Sequence, residues 1–209
     1  MIYFVNPSTL VVREAIETRP DMGIIATPNS VRDSQWVDSY WIADNGCYTS
    51  NWDADKWWDF LVRYQHRGSC LFATAPDVVG DAAATKDRSL PWLSKIRSLG
   101  YDAGYVAQDG QEDVPLPWDE FDTLFIGGTT EFKLSDATRD MVAEANERKK
   151  HVHMGRVNSR RRLLVAHSWG CHSVDGTYLT FGPSVNLPKL IRWLDELADT
   201  PDPESEVVA

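Results

Sequence analysis

Short β-type runs alternate with helical patterns along this chain, and that alternation restricts its fold more than any other feature. Eight such runs recur about 20 to 30 residues apart, and each ends at or near a polar residue or a glycine. Helical periodicity fills the gaps, as at Trp57, Leu61 and Tyr64. Strands that alternate with helices pair in parallel through crossovers. The pattern predicts an α/β fold, a compact (β/α)₈ TIM barrel, with an open doubly wound sheet as the alternative.

The eight runs share a short apolar stretch that is typical of a buried parallel strand. They are Tyr3–Val5, Gly23–Ala26, Tyr40–Ala43, Cys70–Ala73, Ala103–Ala107, Thr123–Ile126, His151–Met154 and Cys171–Val174. Helix caps are predicted at Ser8, Ser135 and Asn158, and Pro188 is predicted to open the last helix. No GxGxxG follows the first run and no GxxxxGK[ST] occurs anywhere, which weighs against the doubly wound sheet.

The 209 residues suit one domain, which we place at residues 1–198. Much of the net charge of −10 lies near the carboxyl terminus, where the last fifteen residues hold six acids and no bases. The segment 199–209 is therefore predicted to be a disordered acidic tail. An acidic chain disfavours broad nucleic-acid binding, although the arginines between 156 and 162 form a local basic patch.

Cysteine usage and hydropathy indicate a soluble cytoplasmic protein. Cys47, Cys70 and Cys171 are too few and too far apart for a disulfide framework, and no CxxC pair is present to bind zinc. The amino terminus has no basic segment typical of a signal peptide, and no run of 18 apolar residues occurs. We therefore expect no membrane association and no metal.

Polar residues at the ends of the runs predict an active site, because barrel enzymes place theirs at the carboxyl ends of the strands. These residues are Asn6, Asn29, Asp44, Asp77, Gln108, Gly127, Gly128, Arg156 and Asp175. Carboxylates that share one mouth suit glycosyl transfer. In that reaction one ionised aspartate attacks the anomeric carbon, and a second, protonated aspartate donates its proton to the leaving group. The remaining aspartate and the glutamine would bind that leaving group, and paired glycines would let a flat ring approach.

Five segments, in this order along the chain, resemble motifs of the tRNA-guanine transglycosylase superfamily, the queuine and archaeosine enzymes. They are Asp44-Asn45-Gly46, Ala75-Pro76-Asp77, Tyr105-Val106-Ala107-Gln108, Ile126-Gly127-Gly128, and Met154-Gly155-Arg156-Val157 followed by a helix and Val174-Asp175. The likeness is closest to the short phage and bacterial relatives that insert 7-deazaguanines into DNA. Cys47 replaces a family glycine, Gly176-Thr177 replaces the sequence after the nucleophile, and the zinc subdomain of the tRNA enzymes is absent.

The resemblance implies roles for six residues. It makes Asp175 the nucleophile and Asp44 the general acid and base, while Asp77, Gln108 and the backbone of Gly127 and Gly128 hold the base. The implied substrates are guanine in DNA and a free 7-deazaguanine base of the preQ0 type, and the exchange needs no cofactor. Members of the family tend to dimerise, so a homodimer is an expectation of the resemblance alone. The compartment would be the host cytoplasm if a phage encodes the chain.

Two other functions remain open at this stage. One is the same exchange on tRNA, which the missing zinc subdomain disfavours, and the other is a catalytically silent barrel that binds nucleic acid or a nucleobase. Arg156, Arg160 and Arg161 are predicted to contact phosphates, against the alternative of a solvated helix face.

Several aromatic and histidine side chains also have two interpretations. Tyr48, Trp52 and Tyr178 either stack on a base or pack within the fold. His151 and His153 either bind a metal or point inward and bond to barrel neighbours.

Overall fold

The computed structural model describes residues 1–48 and 52–199, and within them eight parallel strands close into a barrel in chain order. The strands are β1 (Ile2–Val5), β2 (Met22–Ala26), β3 (Trp41–Ala43), β4 (Cys70–Thr74), β5 (Ala103–Ala107), β6 (Thr123–Ile126), β7 (His151–Met154) and β8 (Ser173–Asp175). Each strand overlaps one apolar run of the sequence. The predicted (β/α)₈ barrel is thus confirmed, and the open sheet is wrong.

Seven α-helices occur among the described residues. They are α1 (Leu10–Thr18), α2 (Ala54–Tyr64), α3 (Ala82–Ser98), α4 (Thr130–Lys133), α5 (Asp136–Glu147), α6 (Arg160–Ser168) and α7 (Pro183–Ala198). Single 3₁₀ turns at Asp33–Gln35 and Gln111–Asp113 occupy the connections that follow β2 and β5. None of these helices is long and apolar enough to cross a membrane. From residue 200 onward, the tail predicted to be disordered lies outside the described residues.

The predicted cap of α5 is confirmed, because the Ser135 side chain accepts a hydrogen bond from the backbone N–H three residues on. The caps of α1 and α6 are each one residue later than predicted. Thr9 caps α1 in place of Ser8, and Ser159 caps α6 in place of Asn158. In both, the hydroxyl of the later residue reaches the N–H at the third helical position, which satisfies one of the unpaired donors of the first turn.

Helix α7 begins earlier than its internal proline suggests. Gly182 adopts a left-handed backbone with φ of 63°, and Pro183 follows at the first helical position. The fixed φ of proline suits that position, and its missing N–H costs nothing there. Pro188 therefore lies inside the helix and does not open it, so that prediction is wrong.

The barrel closes where the first strand pairs with the last. In this seam Tyr3 is opposite Val174 and Phe4 is opposite Asp175. The buried Tyr3 hydroxyl donates a hydrogen bond of 2.6 Å to the carbonyl oxygen of Val157, in the connection after β7, and burial raises the pKa of Tyr3 above its usual range. The first strand thus fixes the connection after β7 beside the end of β8.

The strands separate two layers of apolar packing. The larger core lies between strands and helices and includes Trp41, Trp57 and Leu194. A smaller cluster fills the barrel interior and consists of Phe4, Ile42, Phe72, Val106 and Phe125. The ring of His153 lies among these inner aromatic side chains, with its centroid 4.5 Å from that of Phe125. A polar side chain at this depth needs hydrogen-bond partners inside the barrel.

Candidate active site

A cavity of about 760 Å³ opens at the carboxyl ends of the strands. Every polar residue and glycine that the sequence placed at this mouth lines it: Asn6, Asn29, Asp44, Asp77, Gln108, Gly127, Gly128, Arg156 and Asp175. Residues from eight separate strand ends meet there because a parallel barrel points all its carboxyl ends the same way. Their convergence is what the alternating pattern predicts.

Asp175, the last residue of β8, is held by two groups. The backbone N–H of Arg156 donates to its Oδ1 at 3.1 Å, and its Oδ2 lies 3.0 Å from Nε2 of His153. These two contacts restrict rotation of the Asp175 side chain. The carboxylate oxygens therefore keep fixed positions at the base of the cavity.

The partner of Asp175 belongs to a hydrogen-bonded chain that runs down the barrel interior. Nδ1 of His153 lies 2.8 Å from Oγ of Ser173, and the same Oγ lies 2.7 Å from Nε2 of His151. Burial lowers the pKa of His151 to about 3, so this imidazole is neutral at ordinary pH. Both histidines are thus bonded to a barrel neighbour, and in the described part of the chain no group of three or more histidine, cysteine or acidic side chains is placed to hold a metal ion.

Asp44 directly follows β3 and lines the same cavity. Its Oδ1 accepts a hydrogen bond of 2.7 Å from the backbone N–H of Gly46, a residue with a left-handed φ of 72°. Burial raises the pKa of Asp44 to about 7, and the charges of Asp175 and Asp77 add to that rise. Near neutral pH this carboxyl group therefore exists in both protonation states.

Asp77 forms the third carboxylate and is bound by two side-chain amides. Nδ2 of Asn45 donates to Oδ1 at 3.0 Å, and Nε2 of Gln108 donates to Oδ2 at 2.6 Å. Burial raises the pKa of Asp77, while both amide donors lower it. The backbone N–H of Gly80 donates to Oε1 of Gln108 at 3.0 Å, which fixes the orientation of that amide. Hydrogen bonds from the Cys47 thiol and from the backbone N–H of Asp77 also lower the pKa of Asp77.

Asn45 is a functional candidate that the sequence pattern shows only as part of the Asp44-Asn45-Gly46 segment. Its backbone N–H donates to Oγ1 of Thr74 at 2.9 Å, and its Nδ2 also donates to the Ala75 carbonyl at 2.8 Å. These contacts join the end of β3 to the end of β4. Asn45 thereby positions the carboxylate of Asp77.

Two neighbouring glycines follow β6, and close packing accounts for both. A Cβ on Gly127 would lie 2.8 Å from Nε2 of Gln108, and one on Gly128 would lie 2.6 Å from Cδ1 of Phe132. Gly128 also has a left-handed φ of 70°. A side chain at Gly127 would displace Gln108, so this glycine preserves the amide that holds Asp77.

The surface of the cavity combines a polar rim with an apolar floor. Ile25, Val106 and Phe125 form apolar parts of the lining, which suit the faces of a flat ring. Tyr48 lies at the rim with 66 % of its surface exposed, and the guanidinium of Arg156 is 4.4 Å from the centre of its ring.

Two other aromatic side chains pack within the fold. Trp52 packs edge-on against Trp92, and Tyr178 packs against Trp193. Among the three aromatic candidates for stacking, Tyr48 alone lines the cavity.

The arginine cluster divides into two groups. Arg156 and Arg162 line the cavity, whereas Arg160 and Arg161 are exposed and do not. Nε of Arg160 donates to Oε2 of Glu196 at 2.7 Å, which draws its side chain toward α7. The structure therefore brings Arg156 into the site, leaves Arg160 and Arg161 outside the cavity, and adds Arg162.

Lys133 also lines the cavity, and sequence reasoning missed it. It ends the four-residue helix α4, and only 4 % of its surface is exposed. Burial lowers its pKa to about 8, helped by Arg156 and opposed by Asp175. The one available signal is its place in the connection that follows Gly127 and Gly128, since connections at this end of a barrel carry functional residues.

Neither a scan against protein-family models nor a search of curated proteins finds a match for this chain. The chemistry open to the site follows from its residues. Two carboxyl groups with different surroundings, Asp44 and Asp175, share a cavity with the amide-bound Asp77 and with cations. Such an arrangement can bind a flat ring that carries hydrogen-bond donors, and it can both attack a carbon centre and move a proton.

Proposed function

We propose that this protein is a DNA-guanine transglycosylase that exchanges guanine in DNA for a free 7-deazaguanine base of the preQ0 type. The observation that carries the proposal is the contrast between two aspartates of one cavity. Asp44 has a pKa of about 7 and can give or take a proton. Asp175 is held by the N–H of Arg156 and by His153, with its oxygens fixed for attack.

Asp77 and Gln108 supply the recognition of the base. The edge of guanine that carries N1–H and the 2-amino group presents donors, and a carboxylate offers the matching acceptors. Gln108 holds that carboxylate in place. A 7-deazaguanine keeps the same donor edge, so one pocket accepts both the leaving and the entering base. The resemblance of the five sequence segments points to the same assignment.

The exchange proceeds through two displacements at C1′ of a nucleotide that has been flipped out of the helix. Asp175 attacks C1′, a C1′–O bond forms, the bond from C1′ to guanine breaks, and the departing base takes a proton from Asp44. The incoming 7-deazaguanine then gives a proton to Asp44 as its ring nitrogen attacks C1′ and releases Asp175. One glycosidic bond replaces another, so the energies balance without ATP or a redox cofactor.

The test is an exchange assay on DNA that carries labelled guanine, with unlabelled preQ0 as the entering base. We expect release of label by the wild-type protein and a covalent protein–DNA adduct after denaturation. Asp175→Asn keeps the shape of the side chain and should abolish both signals. Asp119→Asn, an exposed aspartate outside the cavity, serves as the control and should retain both.

Three other outcomes would replace the proposal. Release from tRNA but not from DNA would assign the exchange to tRNA. An adduct that persists in Asp175→Asn and disappears in Asp44→Asn would make Asp44 the nucleophile and Asp175 the general acid and base. Base or DNA binding without label release or adduct in any variant would identify a binding barrel without catalysis.

A further inference from the structure

The cavity has a cationic wall that acidic side chains do not neutralise by direct pairing. Lys133 at the end of α4, Arg156 after β7 and Arg162 in the first turn of α6 all line it. None of the three forms an ion pair with a carboxylate of the described residues. Three positive charges close together repel one another, so the wall favours an anionic ligand.

Neutral oxygens hold the two guanidinium groups in place. Arg156 donates to the carbonyl of Gly128, and Arg162 donates to Oγ1 of Thr130 at 2.9 Å and to the carbonyl of Arg156 at 3.3 Å. These bonds connect the segments after β6 and β7. Because a guanidinium carries five N–H donors, each arginine keeps donors for a ligand.

Lys133 is the strongest indication that a ligand completes this wall. Only 4 % of its surface is exposed, it lines the cavity, and its ammonium makes no hydrogen bond or ion pair with a described residue. Burial and the charges of Arg156 and Arg162 oppose its ionisation, while Asp175 and Asp109 favour it. A buried cation without a partner destabilises a fold, and such a cost is typical of a functional site.

We infer that Lys133, Arg156 and Arg162 bind the phosphate group of the nucleotide whose base occupies the Asp77 end of the cavity. A phosphate offers several acceptor oxygens, and it matches the forked donors of arginine and the point charge of lysine. The identity of that nucleotide rests on the proposed function. The phosphate site itself rests on the three cations and can be tested without turnover.

The first experiment measures melting temperature in inorganic phosphate and in chloride of equal ionic strength. Phosphate should raise the melting temperature of the wild-type protein, because a ligand that binds only the folded state stabilises it. Lys133→Met should melt higher than wild type in chloride and lose most of the phosphate response. Lys189→Met, an exposed site on α7, should behave as wild type.

A second variant controls for changes in packing around the buried Lys133. Arg162→Gln should also reduce the phosphate response, since it removes a charge from a partly exposed side chain without emptying the core. A wild-type protein that phosphate does not stabilise would overturn the inference. So would a Lys133→Met protein that melts lower than wild type and keeps the full response, because Lys133 would then be structural.

The second experiment compares the affinities of deoxyguanosine 5′-monophosphate and deoxyguanosine by calorimetry. We expect the wild type to bind the nucleotide about tenfold more tightly than the nucleoside, and Lys133→Met to bind the two nearly equally. Equal wild-type affinities would overturn the phosphate site even if the exchange assay succeeds. A phosphate preference that depends on Lys133, together with no guanine exchange on any nucleic acid, would instead contradict the proposed function alone.

Discussion

Nε2 of His153 lies 3.0 Å from Oδ2 of Asp175, and the other nitrogen of the same buried ring lies 2.8 Å from Oγ of Ser173. If Nε2–H donates to Asp175, Nδ1 must accept from the Ser173 hydroxyl. The oxygen of Ser173 then accepts from the Nε2–H of His151. One set of proton positions thus satisfies all four groups. The carboxylate of Asp175 requires the N–H, and the Ser173 hydroxyl supplies the donor that the other ring nitrogen then needs, so the serine is a positioning residue.

Ser173→Ala should slow formation of the covalent adduct by about tenfold and leave the affinity for 7-deazaguanine unchanged. The hydroxyl satisfies Nδ1 of the tautomer that donates to Asp175, and its loss leaves that buried nitrogen without a donor and the ring less firmly held. Single-turnover adduct formation and equilibrium base binding separate the two effects. Ile96→Val, a buried change on α3, provides a control with a comparable loss of stability. Equal losses of rate and of base affinity in Ser173→Ala would contradict a positioning role.

Asp44→Asn should stabilise the protein in a manner that depends on pH. The folded pKa of Asp44, about 7, lies above the usual value near 4, so the ionised form costs stability. That cost is absent below about pH 4 and grows as pH rises toward 7. The variant should therefore melt roughly 2–5 °C above wild type at pH 8 and equally at pH 4. A difference that is constant with pH would show that Asp44 does not titrate in this range.

Asp77→Asn should weaken binding of guanine and of 7-deazaguanine by roughly tenfold to a hundredfold. The new amide offers a single acceptor oxygen to Asn45, Gln108 and the ligand, which together present more donors than it can accept. Calorimetry with the free bases gives the two affinities, and circular dichroism checks the fold. The exposed Asp119→Asn change is again the control. Undiminished affinity for both bases would show that Asp77 does not bind the base.

Arg162→Ala and Arg160→Ala should differ in how DNA binding responds to salt. Each phosphate contact contributes about one unit to the slope of log affinity against log salt. Arg162 lines the cavity, so its loss should reduce the slope by about one. Arg160 is paired with Glu196 outside the cavity, so its loss should leave the slope unchanged. A reduced slope for Arg160→Ala alone would indicate that DNA contacts the outer face of α6 and not the cavity.

The barrel and most residues of its mouth could be predicted because local signals agree with the overall fold. Apolar runs such as Thr123–Ile126 are strands in the structure, and the residues that end them meet at one mouth because the barrel is parallel. The pattern does not fix the first residue of a helix, since Ser8 and Thr9 are both good caps and their backbone angles decide between them.

The remaining parts of the site depend on contacts that a linear pattern does not contain. The link from His153 to Asp175 joins adjacent strands that are 22 residues apart in the chain, and it depends on side-chain rotation. Lys133 sits in a polar segment typical of an exposed helix end, and the fold buries it beneath neighbouring connections. Tertiary packing, rather than sequence periodicity, decides both.

The pairing of β1 with β8 has a consequence for how the protein is made. Phe4 and its partner in the seam, Asp175, lie more than 170 residues apart, so β1 is synthesised long before β8. The barrel cannot close until β8 has been synthesised, and contacts this distant in sequence form late. Incomplete chains therefore lack the strand that carries Asp175. Asp44, Asp77 and Asp175 therefore meet in one cavity only after β8 has joined the seam.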